Sequence, residues 1–456
     1  MRTIVYPGNM WYTIRKCNFN GGINMDQLNQ ALCAFLDSSP TCYHAAANAA
    51  QALRRAGYTQ LREETEWALT EGGKYFVLRG DSALMAFRLP RRDFTGFMIA
   101  AAHCDSPSFK VRQSAESPTA GGCKRLNVEP YGGMIQRSWL DRPLSVAGRV
   151  LVRREGRLET KLLNIDRDLL IIPSVAIHMD WDVNKSGALN AAVDLQPLFT
   201  QGEITLRALV AAELAVPEAD LLETELFLYP RAKAALLGAE EEFIAAPRLD
   251  DLQCVFALLQ GFLAAKESAA VPVLAVFNNE EVGSCTRQGA DSTFLTDVLE
   301  RVSAAAGKTP EGCRAAAAQS FLVSADNAHA IHPNHPEYAD KTEAPVLNGG
   351  VVVKYNANQR YTTDAFSASV FLEICRSAGV PTQRYSNRPD LPGGSTLGNI
   401  AMAHLSVPAV DIGLPQLAMH ASYEVAGAKD TAALVQAMTA YYSKALRRHE
   451  GGSISI

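Results

Sequence analysis

Four places in the 456-residue chain set histidines and carboxylates directly after short apolar runs, the combination that divalent metal chemistry needs. His103 and Asp105 follow GFMIAAA, Glu280 and Glu281 follow VPVLAVFNN, Asp326 follows SFLVSA, and VPAVDIG leads to His420. In open α/β sheets ligands bind beyond the carboxyl ends of the strands, so these positions converge if the runs are parallel strands. In His103-Cys104-Asp105 the carboxylate is placed to fix the imidazole by accepting its second ring N–H. Glu280 and Glu281 repel one another and cost desolvation unless a cation or a catalytic task offsets it. One can then hold metal while the other takes a proton from water. Asp250 and Asp251 in PRLDDLQC have a plainer alternative as caps of the helix that starts there.

Other groups are less informative. His329, His332 and His335 are separated by Pro333, and Pro336 follows, so they do not share one helical face; Asp326 is the better ligand. The glycine-rich PGGSTLG, 392–398, lacks the lysine and spacing of a phosphate loop and is expected to be a backbone wall of the site. No G-x-S-x-G elbow is present, which argues against a serine hydrolase.

The elements that must position these residues follow from periodicity. The runs 96–103, 271–279, 320–326 and 407–413 are expected strands buried on both faces. Long helical patterns lie between them, at 251–270, 290–307, 364–379 and 429–448, and the stretch from Met25 to about Gly80 also reads as helical. Alternation of this kind indicates a doubly wound, mostly parallel α/β sheet flanked by helices. Residues 107–245 break the rhythm with short alternating pieces such as LSVAGRVLVRREGRLETKLLNI and LLIIPSVAIHMD, as an inserted β-rich domain would. The expected division is an extension over 1–24, a discontinuous body of 25–106 and 246–456, and an insertion over 107–245.

Composition narrows the partners. A net charge of −5 from 43 basic and 48 acidic residues gives no basic footprint for nucleic acid, and no apolar run is long enough for a membrane span. Nine scattered cysteines without a C-x-x-C pair suit a reducing compartment, so a cytoplasmic location is expected. The first 24 residues show no apolar centre of an export signal.

The motifs HCDSPSFKV (103–111), RLDDL (248–252), NNEEVGS (278–284), SADNAHAIHPN (324–334), KYNANQRYTTD (354–364), GGSTLGN (393–399) and DIGLPQLAMHASYE (411–424) together resemble the aspartyl aminopeptidase family of zinc exopeptidases. They occur in order across the chain from about residue 25. The resemblance implies two zinc ions per subunit, with cobalt or manganese as substitutes. His103 and Asp326 would ligate, Asp250 bridge, and Glu281 and His420 complete the shell. Glu280 would be the general base, with Asp105 beside the catalytic centre. Lys354 and Tyr361 match the pocket for an acidic side chain, with Ser395 opposite. His178 matches a histidine assigned either to substrate, across to a neighbouring subunit, or to zinc.

The implied activity is removal of an N-terminal Asp or Glu from peptides through metal-activated water, within a large tetrahedral homo-oligomer, a dodecamer, built through the insertion. A metal aminopeptidase or deacylase of other specificity and a silent oligomeric scaffold are the alternatives. Two positions depart from the family pattern. Cys104 stands where Thr is usual, and Asn279 where Asp often precedes the glutamates.

Overall fold

The computed structural model describes residues 24–185, 187–391, 393–450 and 453–456. The expected 1–24 extension lies outside the described residues except for Asn24. Asn24 caps the first helix, Met25–Asp37, by accepting the amide of Gln27.

The body is built on a nine-stranded sheet. From one edge its strands are Thr59–Leu61, Gly73–Arg79, Ala83–Leu89, Val271–Phe277, Phe97–His103, Phe321–Ala325, Ala409–Gly413, Val351–Tyr355 and Thr382–Ser386. Val271–Phe277, Phe97–His103, Phe321–Ala325 and Ala409–Gly413 run parallel to one another, so their carboxyl ends share one rim. These four strands are wholly buried, which explains their unbroken apolar sequence. Helices Met25–Asp37, Cys42–Arg55, Leu249–Ala264 and Asp430–Tyr442 pack in the core on one face, and Phe294–Ala305 on the other. This is the expected mixed α/β architecture with a large parallel-containing sheet.

The reading of 25–80 as helical fails beyond Arg55. Residues 73–89 form an antiparallel hairpin that extends the sheet, reversing through Gly80 and Asp81, both at positive φ. That Gly-Asp pair was the turn signal. In this second strand of the sheet, packing of Tyr75, Phe76 and Val77 outweighs a weak helical pattern.

A second sheet of six strands lies between Ser108 and Pro230, and each neighbouring pair in it is antiparallel. LSVAGRVLVRREGRLETKLLNI forms the hairpin Leu144–Arg154 and Arg157–Asn164, as expected. LLIIPSVAIHMD does not form a strand. Leu170 and Ile171 make only isolated bridges, and beyond Pro173, which has no amide to donate, the chain runs through turns. A five-stranded sheet joins Ala235–Leu237 and Phe243–Ala246 to strands at 328–329, 415–417 and 424–427. Among the described residues no helix is long and apolar enough to cross a membrane.

Candidate metal centre

The three parallel strands at the middle of the large sheet place the ligand candidates side by side. Phe277 is in register with His103, and Ser324 with Ala101, so residues 278–281, His103 and Asp326 leave the sheet at one point. Asp326 can approach because the neighbouring strand ends in glycine: a Cβ on Gly413 would lie 1.9 Å from the Asp326 carbonyl oxygen. Asp250 enters from the first turn of Leu249–Ala264, and His420 from the loop after Pro415–Leu417.

His103 is buried at the centre of the group. Its Nε2 lies 3.4 Å from Asp250 Oδ1 and 3.8 Å from Asp326 Oδ1, while Nδ1 lies 3.4 Å from Asp105 Oδ1. His420 Nε2 lies 3.5 Å from both Asp250 Oδ2 and Glu281 Oε2, and its Nδ1 meets the Gly133 carbonyl at 2.6 Å. Three overlapping sets result, each with ligand atoms within 4.8 Å: His103, Glu280 and Glu281; His103, Asp250 and Asp326; Asp250, Glu281 and His420.

A cavity of about 120 Å³ opens onto these groups, and its wall contains His103, Asp250, Glu280, Glu281, Asp326 and His420. Lys354, Tyr361 and Ser395 line it too, so nine of the eleven expected site residues meet in one place. Asp105 sits behind His103. His178 does not join: it is exposed, with its ring 5.6 Å from Trp181 in the loop after the second sheet's hairpin.

The electrostatics call for cations. Burial alone would depress the His103 imidazole, but Asp105, Asp250 and Asp326 around it raise its pKa well above the usual histidine range. Burial, reinforced by Asp326, Asp105 and Asp250, pushes Glu280 up to about 7. Burial and Asp250 likewise raise Glu281. Burial opposes ionisation of Asp326, yet Lys354 and His103 hold it below the ordinary carboxylate range. Asp250 Oδ1 and Glu281 Oε1 are buried without any hydrogen-bond donor. Buried carboxylate oxygens left bare are costly, and a divalent ion supplies what they lack. The donor set, imidazole nitrogens with carboxylates, suits zinc.

The helix-cap alternative for the aspartates does not hold. Asp251 Oδ2 accepts the backbone amide of His103, and the amide of Asp250 is itself held by Glu424 Oε2. Glu424 also accepts the amide of His420, so one buried carboxylate anchors two ligand-bearing segments. Sequence reasoning did not single it out, although it ends the motif DIGLPQLAMHASYE. Tyr131 was missed as well: it donates to Asp105 Oδ2 at 2.7 Å, from a strand with no local signal. His329 lines the cavity with Lys354, whereas His332 and His335 face solvent, His335 beside Glu337.

Known proteins resemble this chain along most of its length. Residues 35–442 match the model of the aminopeptidase I zinc metalloprotease family, M18. A probable M18 family aminopeptidase 2 of Clostridium acetobutylicum is 42% identical over 419 residues, covering 90% of this chain and 97% of the relative. The cryo-EM structure of the Ape4 and Nbr1 complex superposes with TM-score 0.89 at 34% identity, covering 96% of this chain and 87% of that one. The S. cerevisiae mApe1 dodecamer gives 0.81 at 27% identity, covering 92% and 97%. With a family match over nearly its whole length, the chain belongs to the M18 family of aminopeptidase I zinc metalloproteases.

Proposed function

We propose that this M18 aminopeptidase removes N-terminal Asp or Glu from peptides, with two divalent ions held by His103, Asp250, Glu281, Asp326 and His420. The observation that carries the reading is that two of the ligand sets, His103-Asp250-Asp326 and Asp250-Glu281-His420, are made of these five residues and share Asp250 alone, as two adjoining positions with one bridging carboxylate would. Zinc bound there would lower the pKa of water and polarise the scissile carbonyl.

The remaining work falls to this chain's side chains. Glu280 lines the cavity, and its carboxylate is the proton acceptor for the attacking water and the donor to the departing amine. A pKa drawn upward by burial and neighbouring acids suits a group that must both accept and release that proton. Asp105 stays behind His103 and orients its ring, with its backbone carbonyl 3.1 Å and its carboxylate 3.4 Å from Nδ1. Among the described residues of the cavity wall Lys354 is the only Lys or Arg, and it supplies the cation for the substrate's acidic side chain. Tyr361 packs under that ammonium at 5.4 Å, and Ser395 faces it from the glycine-rich wall.

We assign 25–106 and 246–456 to the catalytic body and 107–245 to an inserted unit that builds a homo-oligomer. Two features support this. The second sheet draws all six strands from the insertion, and its loop exposes Val175, Ile177, Met179 and Trp181, the last two at 82% and 67%. The similar S. cerevisiae mApe1 structure is a dodecamer. In such an assembly His178 on that loop would reach a partner's cavity.

The test is initial-rate hydrolysis of peptides beginning with Asp, Glu, Leu or Ala by zinc-loaded wild type and Glu280→Gln, with metal content assayed in parallel. Turnover confined to the acidic peptides, lost by roughly 10²- to 10⁴-fold in the variant with metal retained, is the expected result. Equal rates on Leu and Asp would leave a metal aminopeptidase of other specificity. No turnover by fully loaded wild type would leave a scaffold.

A further inference from the structure

Asn279 and Tyr131 form a chain of donors that ends on the metal centre. Thr286 Oγ1 donates to Asn279 Oδ1 at 2.9 Å, Asn279 Nδ2 to the Tyr131 hydroxyl at 2.8 Å, and Tyr131 to Asp105 Oδ2 at 2.7 Å. Asp105 receives much more than this. Its Oδ1 accepts the amide of Glu280 and its Oδ2 the amide of Glu281, each at 3.2 Å, and it lies 3.4 Å from His103 Nδ1. One buried carboxylate therefore holds the backbone of both glutamates and lies against the ring of a central histidine, whose Nδ1 also meets the Asp105 backbone carbonyl at 3.1 Å.

The direction of this chain depends on an amide at position 279. A phenol has one proton and accepts through its oxygen. With Asn279 donating to that oxygen, the Tyr131 proton is committed to Asp105. A carboxylate at 279 would remove the donor and compete for the same proton, leaving Asp105 with a shared bond. The backbone suits the role: Asn279 sits at φ 61°, a region Asn tolerates better than most residues. Tyr131 comes from the strand Cys123–Tyr131 of the six-stranded sheet, and its ring is fixed edge-on against Phe227 at 5.5 Å. The second sheet thus contributes a side chain to the support of a centre otherwise built by the first.

We propose that Asn279 is a positioning residue that acts through Tyr131, holding Asp105, and with it His103 and the Glu280-Glu281 backbone, in the arrangement that binds zinc tightly. This rests on His103 being a zinc ligand, as assigned above. Outer partners of metal-bound histidines set ring orientation, and losing one costs about 10- to 100-fold in metal affinity.

Zinc affinity is measured on the full-length apoprotein by competition with a chromophoric chelator, alongside kcat/KM, for wild type, Tyr131→Phe, Asn279→Asp, Asn279→Gly, the Asn279→Asp/Tyr131→Phe double variant and His103→Ala. Tyr131→Phe and Asn279→Asp should each weaken zinc by about 10- to 100-fold. The double variant should be no weaker than Tyr131→Phe alone, because the asparagine acts through the phenol. Asn279→Gly keeps the positive φ without strain, so its affinity loss reads the amide alone if the other variants fold poorly. Unchanged zinc affinity in Tyr131→Phe and Asn279→Gly would overturn the proposal, as would additive losses in the double variant. His103→Ala separates the two readings: if it too leaves zinc binding intact, the ligand assignment is what fails.

Discussion

The ammonium of Lys354 lies 3.7 Å from Asp326 Oδ2, with the two side chains only 3% and 13% exposed, and it also donates to the Asn327 carbonyl at 2.8 Å. Burial disfavours the Lys354 charge, yet Asp326 and its neighbours raise its pKa above the ordinary lysine range, so it stays a cation. The same group therefore faces a metal-ligand candidate and the cavity that would take an acidic side chain.

Lys354→Met should consequently change substrate choice more than it changes turnover of neutral peptides. A hydrogen bond to a charged group contributes roughly 1.5–3 kcal/mol, which is about 10- to 100-fold in relative kcat/KM. The comparison to make is the ratio of kcat/KM for N-terminal Asp and Leu peptides in wild type and variant. An unchanged ratio would remove Lys354 from acid recognition.

Much of this site could be read from residue order because each ligand candidate follows a buried strand or opens a buried helix. An apolar run ending in His103, Glu280 or Asp326 is a local pattern, and a parallel sheet converts several such ends into one place. Glu424 and Tyr131 are different. Each acts by reaching a backbone amide or a carboxylate far away in the chain, at separations of 174 and 26 residues, and nothing adjacent to either marks that contact. The hairpin over 73–89 departs from the helical pattern for a related reason: its side chains are buried only once Ala83–Leu89 pairs with the distant strand Val271–Phe277. The segment leading to His178 reads as strand-like because its apolar residues are conspicuous, but Val175, Ile177 and Met179 are exposed rather than paired in a ladder.

Removing zinc should destabilise the fold as well as stop turnover. Asp250 Oδ1 and Glu281 Oε1 have no donor of their own, so chelation leaves buried acids facing one another. A ligand held at 100 times its Kd stabilises by about 2.7 kcal/mol, and loss of that should lower the melting temperature by roughly several degrees. Melting of chelated and zinc-restored protein by calorimetry measures this directly, and coincident curves would argue against a buried metal centre.

His44 should make the protein acid-sensitive independently of zinc. The ring is buried, Thr41 Oγ1 meets its Nδ1 at 2.9 Å, and Nε2 has no partner. Burial, helped by the charge of Arg248, lowers its pKa from 6.5 to about 4. Between those values the unfolded chain binds a proton that the folded chain does not, so stability falls as pH drops from about 6.5 toward 4. At 1.36 kcal/mol per unit, the loss from this residue by pH 5 is about 2 kcal/mol. Denaturant midpoints at pH 7 and pH 5 for the chelated wild type and His44→Gln test it. The variant should have the smaller difference, and an equal one would assign the acid sensitivity elsewhere.

The exposed position of His178 leads to a prediction about subunits. Its ring packs on Trp181 outside the cavity, so the role proposed for it would be exerted on another copy of the chain. His178→Ala keeps an intact cavity without the histidine, and Glu280→Gln keeps the histidine beside a cavity without its base. Each alone should be nearly inactive. Co-expressed in equal amounts, they should form mixed oligomers in which about a quarter of the cavities carry Glu280 and face the partner's His178, since the two choices are independent at each interface of a closed homo-oligomer. Activity recovered to about that fraction, and absent when the two variants are purified separately and mixed without subunit exchange, is the expected outcome. Full activity of His178→Ala by itself would remove His178 from catalysis.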